Sequence, residues 1–277
     1  MQNCIEMSYS SLRGFTVLGA MAIAILSGCA DTDDDDTSTD ELNAPIPRTV
    51  CFAGRTAPYS DPMSGGGIPE IDRLCKVMPN LVRDVPTGRD AKYNFFQWNS
   101  VLAHELDVLV GVLDTNKDGK VTGADAPVSL TVVGYSWGGF NAVDFINGIA
   151  NDKRFSADRK SVAKFFALDA YRTDWLVLPR GEMPVPANVQ QFYAFRHSVA
   201  PADDCSRIVD GWVGPFTGRV PACTGKTECH DFDFSVSPKG KDVDHCSIPD
   251  DAKPFVLALN ANQIPSGLPP EQWVTRY

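Results

Sequence analysis

Val128-Ser129-Leu130-Thr131-Val132-Val133 runs straight into Gly134-Tyr135-Ser136-Trp137-Gly138, and a helix-like stretch, Phe140 to Ala150, follows at once. The first six residues are short, apolar and β-branched, the pattern of a strand buried in a sheet. Beyond the turn, Ala142, Val143, Ile146 and Ile149 fall on one helical stripe. A chain that passes from strand to helix within five residues forces the middle residue into a strained conformation and presents its side chain. The flanking glycines remove the Cβ atoms that would clash in so tight a turn. A bare G-x-S-x-G spacing is common by chance; the strand before it and the helix after it give it weight. The alternative is a Gly-rich turn whose serine only caps the helix.

The rest of the chain alternates in the same way. Thr49 to Ala53 reads as a short strand running into Gly54-Arg55-Thr56, and a long Gly/Pro-rich loop follows. Tyr93 to Trp98 is a further strand candidate. From Ser100, a candidate N-cap, Val101, Leu102, Leu106, Leu109, Val110 and Leu113 keep helical spacing. Ala163 to Leu168 and Val189 to Phe195 read as buried strands. Cys205 to Cys246 is turn-rich, and Ala252 to Ala261 reads as a closing helix. Strands separated by helices predict a mostly parallel sheet with right-handed crossovers. With the serine turn in that setting, residues 47–277 resemble the α/β-hydrolase family. The resemblance implies an α/β-hydrolase fold, a mostly parallel central sheet with helices on both faces.

A serine hydroxyl needs a base within hydrogen-bond reach, and the base needs an acid to orient it. In the α/β-hydrolase family the chain order is Ser, then Asp or Glu, then His. The resemblance therefore puts Ser136 in the nucleophile's place and His245, in a loop ahead of the last helix, in the base's. His197 is the second choice. His104 precedes the serine in a helical stretch, and His230 is hemmed in by a cysteine and acidic residues. Asp169, at the carboxyl end of the Ala163–Leu168 strand, is the first candidate acid, because ligand and catalytic groups collect there in open α/β sheets. Leu168-Asp169 resembles the Leu-Asp-Pro of a lipase-like subgroup, with Ala170 in the proline's place. Asp203 and Asp204 are the alternative acids. For the oxyanion the family pattern implies the backbone N–H of Trp137 and a second donor from Gly54 or Arg55.

Asp114-Thr115-Asn116-Lys117-Asp118-Gly119-Lys120-Val121-Thr122-Gly123-Ala124-Asp125 follows the calcium-loop pattern. Asp114, Asn116 and Asp118 offer side-chain oxygens, Gly119 the sharp turn, Lys120 its carbonyl, and Asp125 closes the loop. The loop resembles that of dockerins, although only one copy is present. Structural Ca2+ is the expectation, with a polar Asn/Asp/Gly turn as the alternative.

The N-terminus reads as an address. Arg13 precedes a short apolar core, Gly14 to Leu26, that ends in Leu26-Ser27-Gly28-Cys29. This resembles a bacterial lipobox, implying a signal peptide over 1–28, a lipid on Cys29 and a tether over 29–46. Ala30 after the cysteine favours the outer membrane. Residues 31–41 carry seven acidic side chains and no basic one, so the formal −10 divides into −7 on the tether and −3 on the body. Such a run stays solvated. The body has no basic stripe, which argues against nucleic acid as a partner. Beyond Cys4 and Cys29 six cysteines remain, an even number that suits export. Clustering favours Cys51–Cys75 and Cys223–Cys229, leaving Cys205–Cys246, among fifteen possible pairings.

Together these features point to an exported, lipid-anchored serine hydrolase acting on small-molecule or lipid esters, with no organic cofactor. A peptidase of the same fold, or an envelope binding protein that keeps the scaffold without catalysis, is the alternative.

Overall fold

The computed structural model describes residues 44–54, 69–85, 98–170, 182–197, 220–236, 243, 245–269, 271 and 275–276. Its centre is a six-stranded sheet. The strands are β1 (Ile46–Phe52), β2 (Leu81–Val85), β3 (Val128–Tyr135), β4 (Val162–Leu168), β6 (Val189–Arg196) and β8 (Glu228–Asp233), in the order β2-β1-β3-β4-β6-β8. Every neighbouring pair is parallel. A small second sheet joins β5 (Met183–Pro184), β7 (Pro221–Cys223) and β9 (Thr275–Arg276), also in parallel. This is an α/β fold, with the mostly parallel sheet that the alternation of segments predicts.

The α-helices among the described residues are α1 (Pro69–Cys75), α2 (Trp98–Leu113), α3 (Trp137–Asn151) and α4 (Ile248–Asn260). Side chains alternate across a strand, so each central strand feeds two cores. Val50, Phe52, Val132, Phe165, Ala167 and Phe192 face α2 and α3, while Cys51, Val133, Tyr135, Phe166, Leu168 and Phe195 face α1 and α4. Helices therefore cover both faces, and the strands read as near-continuous apolar runs because both sides are buried.

Three segments differ from the sequence-based expectation. Trp98 opens α2 instead of ending a strand; Tyr93 to Gln97 lie outside the described residues. β2, with Arg83 and Asp84 in its middle, is an edge strand and lacks the apolar signature of the interior ones. The segment read as turn-rich contains β7 and β8. Asp231 and Asp233 resemble turn residues, yet both are buried on β8, where the Arg196 guanidinium of β6 neutralises them at 2.8 and 3.0 Å.

Two disulfides fasten the periphery to the sheet. Cys51–Cys75 ties α1 to β1, and Cys223–Cys229 ties β7 to β8. Cys246 is also disulfide-bonded; Cys205, its expected partner, lies outside the described residues. At the far end of α4, the Lys164 ammonium donates to the carbonyls of Leu259 and Asn260, closing the helix and setting its position against β4.

Candidate active site

Parallel register puts the ends of four strands side by side. Phe52 pairs with Gly134, Tyr135 with Leu168, and Leu168 with Phe195. The residues that follow each strand, Gly54, Ser136, Asp169 and His197, consequently gather at one edge of the sheet, its carboxyl end.

Ser136 sits in the turn with φ 56° and ψ −128°, a region that an L-residue adopts only under constraint. Two hydrogen bonds impose it: the Ser136 N–H donates to the Leu168 carbonyl at 2.9 Å, and the Gly139 N–H to the Ser136 carbonyl at 3.0 Å. The glycines are required by contact. A Cβ on Gly138 would lie 2.3 Å from the Phe52 carbonyl oxygen, and one on Gly134 would lie 2.7 Å from Gly139 Cα. Trp137 begins α3, as the strand–turn–helix reading requires.

His245 lies in the turn that leads into α4, with Nε2 2.9 Å from Ser136 Oγ. Its Nδ1 lies 2.5 Å from Asp169 Oδ2. Serine, imidazole and carboxylate thus form one continuous hydrogen-bonded line. Ser136 and His245 are each 1% exposed and Asp169 0%. The hydroxyl packs against Gly54 and the imidazole. Tyr135, on the opposite side of β3 from α3, donates its hydroxyl to the His245 carbonyl at 2.8 Å and stacks on the imidazole with ring centres 5.0 Å apart.

Asp169 has a positive φ of 43°, and its N–H donates to the Phe195 carbonyl at 2.7 Å. Burial disfavours its ionised form. The charge and ring N–H of His197, with the N–H of His245, outweigh that and hold the carboxyl well below the usual carboxylate range. It therefore stands as a carboxylate at neutral pH, able to orient His245 and balance a positive charge on it. His197 Nδ1 lies 2.9 Å from Asp169 Oδ2, so two imidazoles share one carboxylate oxygen.

Gly54 abuts the serine so closely that a Cβ there would lie 3.1 Å from Ser136 Oγ. Arg55, Asp203 and Asp204, the other candidate oxyanion and acid residues, lie outside the described residues, as does Cys29.

No protein-family model matches the chain, and no curated protein does. Among solved structures, the chain is similar to the crystal structure of ClbQ from the colibactin NRPS/PKS pathway, with 12% identity and a TM-score of 0.37, over 79% of this chain and 96% of that one.

The 114–125 loop folds as a tight turn between α2 and β3. Gly119 takes φ 82°, as the sharp bend requires. Asp114 and Asn116 both direct an oxygen at the Asp118 N–H, at 3.1 and 2.9 Å, so their side chains converge. The Asp125 carboxylate is buried and accepts the N–H groups of Thr115, Asn116 and Thr122 at 2.8, 3.2 and 2.8 Å. Among the described residues no group of three or more His, Cys, Asp or Glu is arranged to hold a metal. Asp114 and Asp118 also accept loop N–H groups, from Gly119 at 2.7 Å and Lys120 at 2.9 Å, so these carboxylates, like Asp125, clasp the loop from within.

Tyr135 escapes the sequence reading as a functional residue, and His197, the second choice for the base, lies instead beside the acid. Tyr135 lies within the quoted pentapeptide, and strand alternation alone puts it on the face opposite α3. His197 carries no local signal, because its place depends on the β4–β6 register.

Proposed function

We propose that the protein is an exported, lipid-anchored serine hydrolase that cleaves carboxylic esters through an acyl-enzyme. The observation that carries this reading is the line from Ser136 Oγ through His245 to Asp169, with contacts of 2.9 and 2.5 Å at the carboxyl end of the sheet. Strained serine, base and buried carboxylate are what activation of a hydroxyl demands. They favour a reactive site over a scaffold that has lost catalysis.

In this reading Ser136 Oγ attacks the ester carbonyl carbon while His245 Nε2 takes the hydroxyl proton. The tetrahedral oxyanion is held by the Trp137 N–H and a second donor from Gly54 or Arg55. Each such donor contributes about 2.7–4 kcal/mol to the transition state. Collapse expels the alcohol, which receives the proton from His245. Water then repeats the sequence on the acyl-enzyme and frees the acid. Asp169 keeps the His245 Nδ1–H in place and offsets the charge the ring acquires. No organic cofactor takes part, and the substrate class is a small-molecule or lipid ester.

A fluorophosphonate probe on the soluble 44–277 body tests the assignment. Labelling of the parent, lost in Ser136→Ala and His245→Ala, is expected; labelling that persists in Ser136→Ala sinks it.

Export and anchoring rest on the lipobox-like Leu26-Ser27-Gly28-Cys29 and the acidic tether. Cells fed a palmitate analogue should label the parent and not Cys29→Ala, with the parent in the outer-membrane fraction. For the 114–125 loop the reading is a structural Ca2+ on Asp114, Asn116, Asp118 and the Lys120 carbonyl. Asp114, Asp118 and Asp125 all accept N–H groups of the loop, so a bound ion would compete with those donors, and weak binding would suit the millimolar calcium outside cells. Calcium should raise the melting temperature of the parent and not of Asp118→Ala; no change with calcium or EDTA refutes the site.

A further inference from the structure

His197 is a buried histidine, 1% exposed, that the acyl-transfer scheme leaves without a part. It nevertheless holds Asp169 at both oxygens. Its backbone N–H donates to Oδ1 at 3.3 Å, and its ring Nδ1 lies 2.9 Å from Oδ2. We propose that His197 is a positioning residue of the same site, clamping the Asp169 carboxylate so that Oδ2 stays aimed at His245 Nδ1. This rests on the hydrolase reading and adds a residue to it.

The reason lies in the geometry of an aspartate. Its terminal torsion is soft and roughly two-fold, so a single hydrogen bond from His245 leaves the carboxylate plane free to rock. One residue that meets both oxygens, main chain on one and ring on the other, fixes that plane. The clamp is anchored in turn, because the Asp169 N–H donates to the carbonyl of Phe195, two residues before His197 on the same strand. The two segments are thus joined in both directions within three residues, by a main-chain bond one way and a bond to the Asp169 side chain the other.

The charges around the pair sharpen the role. Arg196, the nearest cation on β6, gives its guanidinium to Asp231 and Asp233 of β8. His245 approaches from the turn before α4. Among the described residues, Asp169 is therefore the carboxylate that the two imidazoles face in common. The His197 ring, 2.9 Å from Oδ2, borders the same oxygen that faces His245 Nδ1.

Two amides and an apolar residue separate positioning from filling space. In His197→Asn the amide nitrogen stands where Nδ1 does; in His197→Gln it stands near Nε2. On a p-nitrophenyl ester, His197→Leu and His197→Gln should lose 10- to 100-fold in kcat with KM within two-fold. His197→Asn should recover most of kcat. The low-field proton resonance of His245 Nδ1–H should move in His197→Leu and His197→Gln and stay near the parental position in His197→Asn. If His197→Leu does not fold, His197→Gln decides. A parental rate and resonance in His197→Gln overturns the proposal, as does a variant that loses only melting temperature. A parent whose Ser136 ignores the fluorophosphonate, with the resonance still moved by His197→Gln, would defeat the hydrolase reading alone and leave the clamp standing.

Discussion

Gly54→Ala adds one methyl group at the most sensitive point of the site. Its Cβ would lie 2.7 Å from Ser136 Cβ, 3.0 Å from Tyr135 Cδ1 and 3.1 Å from Ser136 Oγ. An ordinary carbon–carbon contact begins near 3.5 Å, so the closest approach is short by roughly 0.8 Å. All three atoms belong to side chains that carry the chemistry or support it. Ser136 cannot retreat freely, because its N–H and carbonyl are bonded to Leu168 and Gly139. The displacement should therefore fall on Oγ and lengthen its 2.9 Å contact with His245 Nε2 toward a distance at which no hydrogen bond remains. A misplacement of about 1 Å in a reacting group costs on the order of 10²-fold in rate. Overpacking costs about 1–3 kcal/mol, and Ala for Gly at an unstrained position returns about 0.4–1 kcal/mol through the unfolded chain. The expected result is a folded protein with a small loss of melting temperature and about a hundred-fold drop in the labelling rate of Ser136. Gly138→Ala provides the contrast, since its Cβ would strike the Phe52 and Ala53 carbonyl oxygens at 2.3 and 2.4 Å and should damage the fold itself. A Gly54→Ala protein that labels at the parental rate would refute the placement of Gly54 against the reactive hydroxyl.

Asp169→Asn should lower kcat on the order of 10⁴-fold while the protein stays folded. Because the two histidines hold the Asp169 carboxyl below its ordinary value despite burial, ionised Asp169 stabilises the native state above about pH 4. That contribution is lost as pH falls further, so the melting-temperature gap between parent and Asp169→Asn should narrow below pH 4; a widening gap contradicts the assignment. Tyr135→Phe removes the hydroxyl that satisfies the buried His245 carbonyl, and calorimetry should find a loss of about 1–3 kcal/mol together with a lower kcat. Unchanged stability would mean that the carbonyl finds another donor. Arg196→Met strands Asp231 and Asp233 in the sheet and should cost about 3–5 kcal/mol at neutral pH. Burial already raises the Asp231 carboxyl, so the variant should regain stability on acidification relative to the parent. Equal losses at pH 5 and pH 8 would argue against an unpaired charge as the cause.

What could be read from the chain follows from how local each signal is. β3 and α3 are adjacent in sequence, and the glycines between them are dictated by contacts among those same residues and the end of β1. The serine turn is therefore legible without any knowledge of the sheet. His245 and Asp169 are legible one step further out, because chain order and strand ends rank the candidates even though 76 residues separate the two side chains. The two disulfides Cys51–Cys75 and Cys223–Cys229 belong to the same tier, being close in the chain. Beyond that, the information is in pairing. β8 hides because Asp231 and Asp233 look like turn residues until Arg196 is placed beside them across the β6–β8 register. His197 hides for the same reason. It ranks behind His245 when chain position is the criterion, and its link to Asp169 exists only because Leu168 pairs with Phe195. A one-residue slip of β6 would turn His197 away from Asp169 and bring its neighbour into register. The buried polar groups that register brings together, Asp169 with two imidazoles and Arg196 with two carboxylates, also penalise such a slip, since each would leave an unpaired charge in the interior. The least legible residues are thus the ones whose charges hold β4, β6 and β8 in the register that assembles the site.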